Sequence, residues 1–318
     1  MERDISIGGL TCRMIELDEV DSTNSYLRRL DAAEGCPMML VTADYQSAGR
    51  GADTNRWESA RGENLLLSLR VEPANLPISR MFALSEATAL SLAKALTSFL
   101  EGQGAGEGAR SKEQGAGEGA RGKEQGAGEY NLAQQSSCPL PPASCPLPLA
   151  PCPSPPAPCP SPLAPFSIKL PNDIYYGDSK VAGILIENDL QGARVLRSVI
   201  GIGINVNQRR FLSDAPNPRS LADIVGHDVE RRAVLERFME RFVRLFGQIT
   251  DGSPDALDAL HCRYKSLLYR LGQEHGYSDK DGTFRATLTD VEPSGHLVLQ
   301  DSNGTTRRYA FKEVKYII

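Results

Sequence analysis

At 318 residues and 41% hydrophobic content, the chain holds enough apolar sequence for a sizeable core and more than one domain. Its net charge of −5 supplies no basic field for nucleic acid or an anionic membrane surface. No segment approaches the roughly 18 consecutive apolar residues of a membrane-spanning helix, and Met1–Thr11 lacks the basic and apolar regions of a secretory signal, so a cytoplasmic protein binding neither DNA nor membrane is expected.

In chain order, Met14–Val20 reads as a first strand, and Asp21-Ser22-Thr23-Asn24 opens a helix through Leu30. Ser or Asp there can cap the helix by accepting from its unpaired N–H groups. Met38–Tyr45 is a second strand running into Gln46-Ser47-Ala48-Gly49-Arg50-Gly51, and Asn64–Val71 is an alternating strand. Glycines flanking Arg50 let backbone approach a ligand while the guanidinium points at it. Trp57, the only tryptophan, lies on a polar segment, where it either offers its face to a nucleobase or packs as a lid on the core's rim. Ile78–Leu100 has helical apolar spacing.

The composition then changes. Gln-Gly-Ala-Gly-Glu recurs at Gln103, Gln114 and Gln125, and Ser137–Phe166 holds 13 of the 21 prolines. Cys138, Cys145, Cys152 and Cys159 recur every seven residues in this tract, without a Cys-x-x-Cys pair or a histidine cluster, so zinc is not expected. Neither half can bury a core, so 101–166 reads as a disordered insertion. Order returns at Ile168. A short helix is expected at Ser220–Val225, a longer one at Val229–Ile249 burying Val234, Leu235, Phe238, Phe242, Leu245 and Phe246, and another at Pro254–Tyr269. From Leu271, Asp281-Gly282, Ser294-Gly295 and Asn303-Gly304 punctuate short strands that suit an SH3-like barrel.

The polar singularities form four clusters: Ser22-Thr23-Asn24, Gln46–Trp57, Lys169–Asp173, and Lys180–Gly183 with Gly201–Asn205. No Ser-His-Asp set, Walker loop or Gly-x-Gly-x-x-Gly opening a helix accompanies them. Cations among uncharged hydrogen-bonding groups suit activation of a carboxylate by a nucleotide, where charge builds on phosphorus and no side-chain nucleophile is needed.

In this order the clusters resemble the biotin protein ligases, also called biotin–[acetyl-CoA-carboxylase] ligases. Lys169-Leu170-Pro171-Asn172-Asp173 is similar to that family's Lys-Trp-Pro-Asn-Asp, Lys180–Leu185 to its Lys-x-Ala-Gly-Ile-Leu, and Gly201–Asn205 to its Gly-x-Gly-x-Asn. The resemblance covers 14–100 and 168–318. It implies an α+β fold with a central mixed, mostly antiparallel sheet flanked by helices, of the class II aminoacyl-tRNA synthetase/biotin ligase kind. It divides the chain into a catalytic domain at 1–100 and 167–269, the insertion at 101–166, and the barrel at 270–318. With 13 residues ahead of the first expected strand, the likeness is to the monofunctional class without a DNA-binding domain.

The resemblance also implies biotin as substrate, ATP and Mg²⁺ as cofactors with metal ligands unassigned, and a biotin carboxyl carrier protein as acceptor. Lys169 and Arg50 are the implied catalytic charge stabilisers. Ser22, Thr23, Asn24, Gln46, Arg50, Gly51, Ala52, Lys169, Gly183 and Gly203 are the implied biotin contacts, and Trp57, Asn172, Lys180 and Asn205 the ATP contacts. Lys180 also reads as a strand-end lysine snorkelling to water. Ala52-Asp53-Thr54 departs from the family's basic run, which bears on retention of the adenylate. A lipoate ligase or octanoyl transferase, and a non-catalytic biotin-binding scaffold using the Pro-rich tract, are the alternatives. A monomer and a homodimer both remain open.

Overall fold

The computed structural model describes residues 1–30, 36–51, 55–101, 164–212 and 217–318. The insertion's repeats and four cysteines, and Ala52-Asp53-Thr54, lie outside them.

Period-two sequence builds an eight-stranded sheet. Its strands are β1 (Glu2–Ile7), β2 (Leu10–Val20), β3 (Met38–Gln46), β4 (Leu65–Val71), β5 (Phe166–Lys169), β6 (Asp173–Tyr176), β7 (Ser179–Gln191) and β8 (Arg194–Ile204). The spatial order is β1-β2-β3-β4-β8-β7-β6-β5, antiparallel throughout except for the parallel pair β2–β3. β1 was not expected. Its polar, alternately exposed Glu-Arg-Asp-Ile-Ser-Ile sequence pairs on one side only, as an edge strand does. β4 was expected to alternate in exposure, but all seven of its residues are buried because both faces are covered.

One face carries Leu65, Leu67, Leu69, Ile200, Ile202, Ile204, Ile174 and Ile168 into the main core. Helices α2 (Ala83–Glu101), α4 (Arg231–Asp251) and α5 (Pro254–Lys265) pack there, with the short α3 (Leu221–Val225) capped by Ser220. All six α4 residues expected inside are buried. α5 ends at Lys265 and not Tyr269, and His261 Nδ1 lies 2.5 Å from the buried Glu86 of α2, tying the two helices. On the other face, α1 (Thr23–Arg29) covers Met39, Val41 and Val199 with the fully buried Leu27, whose burial contributes about 1.5–3 kcal/mol.

The C-terminal strands β9 (Glu274–Asp279), β10 (Gly282–Val291), β11 (Leu297–Asp301), β12 (Thr306–Tyr309) and β13 (Lys315–Tyr316) form an antiparallel sheet of order β12-β11-β10-β9-β13. Among the described residues β12 and β13 are its edges and do not pair with each other. Its apolar face (Tyr277, Leu288, Leu299) is continuous with the main core. Phe166, placed at the insertion's end by sequence, is fully buried in β5.

Candidate active site

The face that α1 only partly covers is the site. Pairing register sets one row of side chains across it: Leu66 opposite Gly203, Gly203 opposite Gly183, Gly183 opposite Asp173, Asp173 opposite Lys169. Directly opposed strand residues share a face, so this row is a trench with a glycine floor and a charged end. Two residues along, Gly201 lies opposite Ser68 and Leu185.

A β-bulge decides where Lys180 points. The β6–β7 register slips between Ile174 and Tyr175, so Val181 and Ala182 both enter the core and Lys180 turns to the trench. Its Nζ pairs with Asp173 at 2.8 Å and lies 5.8 Å from the Trp57 ring centre. Lys169 Nζ sits between the rings of Tyr175, at 5.4 Å, and Tyr316 of β13, at 4.9 Å. Burial lowers the Lys169 pKa from its usual value, Asp173 opposes that shift, and Lys180 and Arg270 add to it. Lys180 therefore pairs with Asp173 directly, while Lys169 feels that carboxylate only through its field. Asn172 Oδ1, one residue from Asp173, is buried with no hydrogen-bond partner.

The opposite end is a closed hydrogen-bond network. Ser22, Thr23 and Asn24 are all buried, and Ser22 caps α1 by accepting from Ser25 N–H. Thr23 donates through N–H and Oγ1 to Gln46 Oε1, at 2.7 and 3.1 Å. Ser68 Oγ sits 2.7 Å from Thr23 Oγ1 and 2.5 Å from Asn24 Oδ1. Asn24 Nδ2 donates to Glu187 Oε2 at 3.0 Å. Ser68 and Glu187 escaped the sequence reading, where they stand as ordinary strand polars.

Gly49–Gly51 and Trp57 lie over the middle. Trp57 N–H donates to Gly49 O and Gly51 N–H to Asn55 O. Gly49 must be glycine, because a Cβ there would fall 2.6 Å from Trp57 O. The indole rests on the floor: a Cβ on Gly203 would lie 2.3 Å from Trp57 Cε2, and one on Gly183 3.0 Å from Cζ3. A Cβ on Gly201 would lie 2.3 Å from Asn24 Oδ1. The glycines thus admit Asn24 and Trp57. Expected to line an open pocket, Gly183 and Gly203 are roofed by the indole, and Trp57 takes up the lid arrangement.

Two more of the expected site residues have partners of their own. Arg50 does not meet Lys169. Its guanidinium bonds Glu187, at 3.0 and 3.3 Å, and Glu187 lies four residues along β7 from Gly183, about 13 Å at strand rise. Asn205 does not face the trench as a free ligand group, since its Nδ2 donates to the carbonyls of Lys180 and Arg219, bracing the strand that presents Lys180.

Residues 162–205, which carry both lysines and the glycine floor, match the biotin/lipoate A/B protein ligase family. Bifunctional ligase/repressor BirA of Bacillus spizizenii is 23% identical over 93% of this chain and 72% of its own. The biotin–[acetyl-CoA-carboxylase] ligase of Paracoccus denitrificans is 29% identical over 43% of this chain and 58% of its own. The biotin protein ligase from Aquifex aeolicus, solved with biotin and ATP, shares the fold, with a TM-score of 0.62 at 22% identity over 96% of this chain and 99% of its own. Among the described residues no helix is long and apolar enough to cross a membrane.

Proposed function

We propose that this chain is a biotin/lipoate ligase family member that joins biotin to a lysine of a biotin carboxyl carrier protein through biotinyl-5′-AMP. The reading rests on one observation: a single trench runs from a fixed donor–acceptor network to a pair of lysines around one carboxylate. A fused cyclic urea needs paired donors and acceptors at one end, and an alkyl chain does not. That favours biotin over lipoate or octanoate. The apolar valeryl chain fits the floor that Trp57 now covers. Its carboxylate then reaches Lys169 and Lys180, whose fixed charges meet the negative charge that builds as it attacks the α-phosphate.

Among the described residues no cluster of three His, Cys, Asp or Glu could hold a metal. Mg²⁺ commonly binds through one or two protein oxygens and the substrate's phosphates. Asp173 and the unpartnered Asn172 Oδ1 fit that part-set and would hold the ion, which neutralises phosphate charge. Because Lys180 already pairs with Asp173, nucleotide binding exchanges that pair for phosphate contacts. In this reading Lys169 and Lys180 are the charge stabilisers, Ser22, Thr23, Asn24 and Gln46 form the ring-binding end, and residues 270–318 act as a C-terminal unit supporting Lys169.

The test is incubation of purified protein with biotin, Mg·ATP and an apo carrier domain, following pyrophosphate and acceptor mass separately. A mass gain on the acceptor lysine, lost in Lys180→Ala, is expected. Biotin binding without pyrophosphate release would instead favour a non-catalytic binding protein.

A further inference from the structure

Glu187 lies on the trench side of β7, with a side chain 20% exposed, and three donors from two separate segments converge on it. Asn24 Nδ2 reaches it from α1 at 3.0 Å, Arg50 from the loop at 3.0 and 3.3 Å, and Arg28 Nη1 stands 3.7 Å away. We propose that Glu187 is a positioning residue that pins Gly49–Gly51, and with them Trp57, over the trench through Arg50. A carboxylate can only accept, so it also fixes the Asn24 amide with Nδ2 toward itself and Oδ1 toward Ser68. Arg50 is then the pin of the lid, placed about 13 Å along the strand from the Gly183 row. The indole follows, because Trp57 is tied to Gly49 by backbone and stands on Gly183 and Gly203. The ring-reading end and the lid are thus set by one carboxylate belonging to neither motif. Its effect on biotin rests on the ligase reading, whereas the pin itself does not.

Trp57 is the only tryptophan, so its emission reports the lid alone. Glu187→Gln keeps an acceptor for Asn24 but turns an NH₂ toward Arg50, releasing the pin with little change of shape. Arg50→Gln releases it from the exposed side. In both, Trp57 emission should shift to the red and acrylamide quenching should rise. The dissociation constant and KM for biotin should increase about fivefold, the scale of a partly exposed ion pair. At saturating biotin kcat should stay near wild type, and so should KM for ATP. The double variant should be no worse than either single, since both remove one interaction.

Unchanged emission in both single variants would overturn the proposal. So would additive effects in the double, or an emission shift with unaltered biotin affinity. If the wild-type protein binds no biotin and labels no acceptor, the ligase reading fails, and the emission of the variants alone decides the pin.

Discussion

The two ends of the trench hold their polar groups in opposite ways. At the Asn24 end nearly every donor meets an acceptor, through Gln46, Thr23, Ser68, Asn24, Glu187 and Arg50 in turn. At the Lys169 end charge exceeds its partners: Asp173 pairs with Lys180 alone, Asn172 Oδ1 has no partner, and Lys169 rests on aromatic faces. A satisfied network holds a fixed shape and discriminates, because an ill-matched ligand leaves buried groups unpaired. A surplus of half-buried cation favours an incoming anion and the charge that grows on it. On the proposed function, recognition and chemistry are separated along one sheet.

Removing the surplus breaks the contrast most severely. Lys169→Ala or Lys180→Ala should lower kcat for pyrophosphate release by about 10²-fold or more, with biotin affinity much less affected, as stopped-time pyrophosphate assays and calorimetry would show. Filling the floor is next. In Gly203→Ala the new Cβ lands 2.3 Å from the indole, and in Gly201→Ala 2.3 Å from Asn24 Oδ1. Each should cost about 1–3 kcal/mol in denaturant titration, and only Gly203→Ala should shift Trp57 emission strongly.

Titration sharpens the comparison. Burial lowers the Lys169 pKa, so the cation is lost below the usual 10.5. The alkaline limb of adenylation should fall earlier than for an exposed lysine, and Lys169→Arg should move it to higher pH. The folded chain also gains stability as pH rises from the lowered value toward 10.5, because the unfolded chain then binds more protons. Asp21 has the ordinary sign. The Arg29 guanidinium bond, then the Ser22 N–H, hold its pKa at about 2 against 3.8, so its stabilisation is present above 3.8 and is lost as pH falls through about 2. Acid unfolding of Asp21→Asn should lack that component. The smallest effect belongs to Tyr316→Leu, which removes one ring from Lys169. A cation–π contact contributes about 0.5–2 kcal/mol, so kcat should fall several-fold with biotin affinity unchanged.

The sheet, α1, α4 and the lysine-glycine row were legible because they depend on period and spacing within short windows. Glu187 and Ser68 were not, since their value comes from partners 163 and 44 residues away along the chain. Lys180 also read as a strand-end lysine, since alternation counted back from Gly183 puts it on the core face with Ala182, and the bulge at Val181 that turns it to the trench carries no distinctive residue. The bond from Arg50 to Glu187 was hidden for a related reason: Gly-Arg-Gly predicts a cation close to backbone but not the partner it reaches. β1 was missed because an exposed edge strand needs no apolar pattern. Where position is set by long-range pairing, one sequence supplies the residue but not its address.

The C-terminal sheet shares its apolar interior with the main core and reaches Lys169 through Tyr316. Melting should therefore be a single cooperative event, with no temperature at which the large sheet survives intact while the small one has gone. Heat capacity, loss of tyrosine near-ultraviolet dichroism and loss of adenylation should share one midpoint. A protein so built cannot be throttled gradually by loosening its end: the lysine's surroundings and the fold persist together or disappear together.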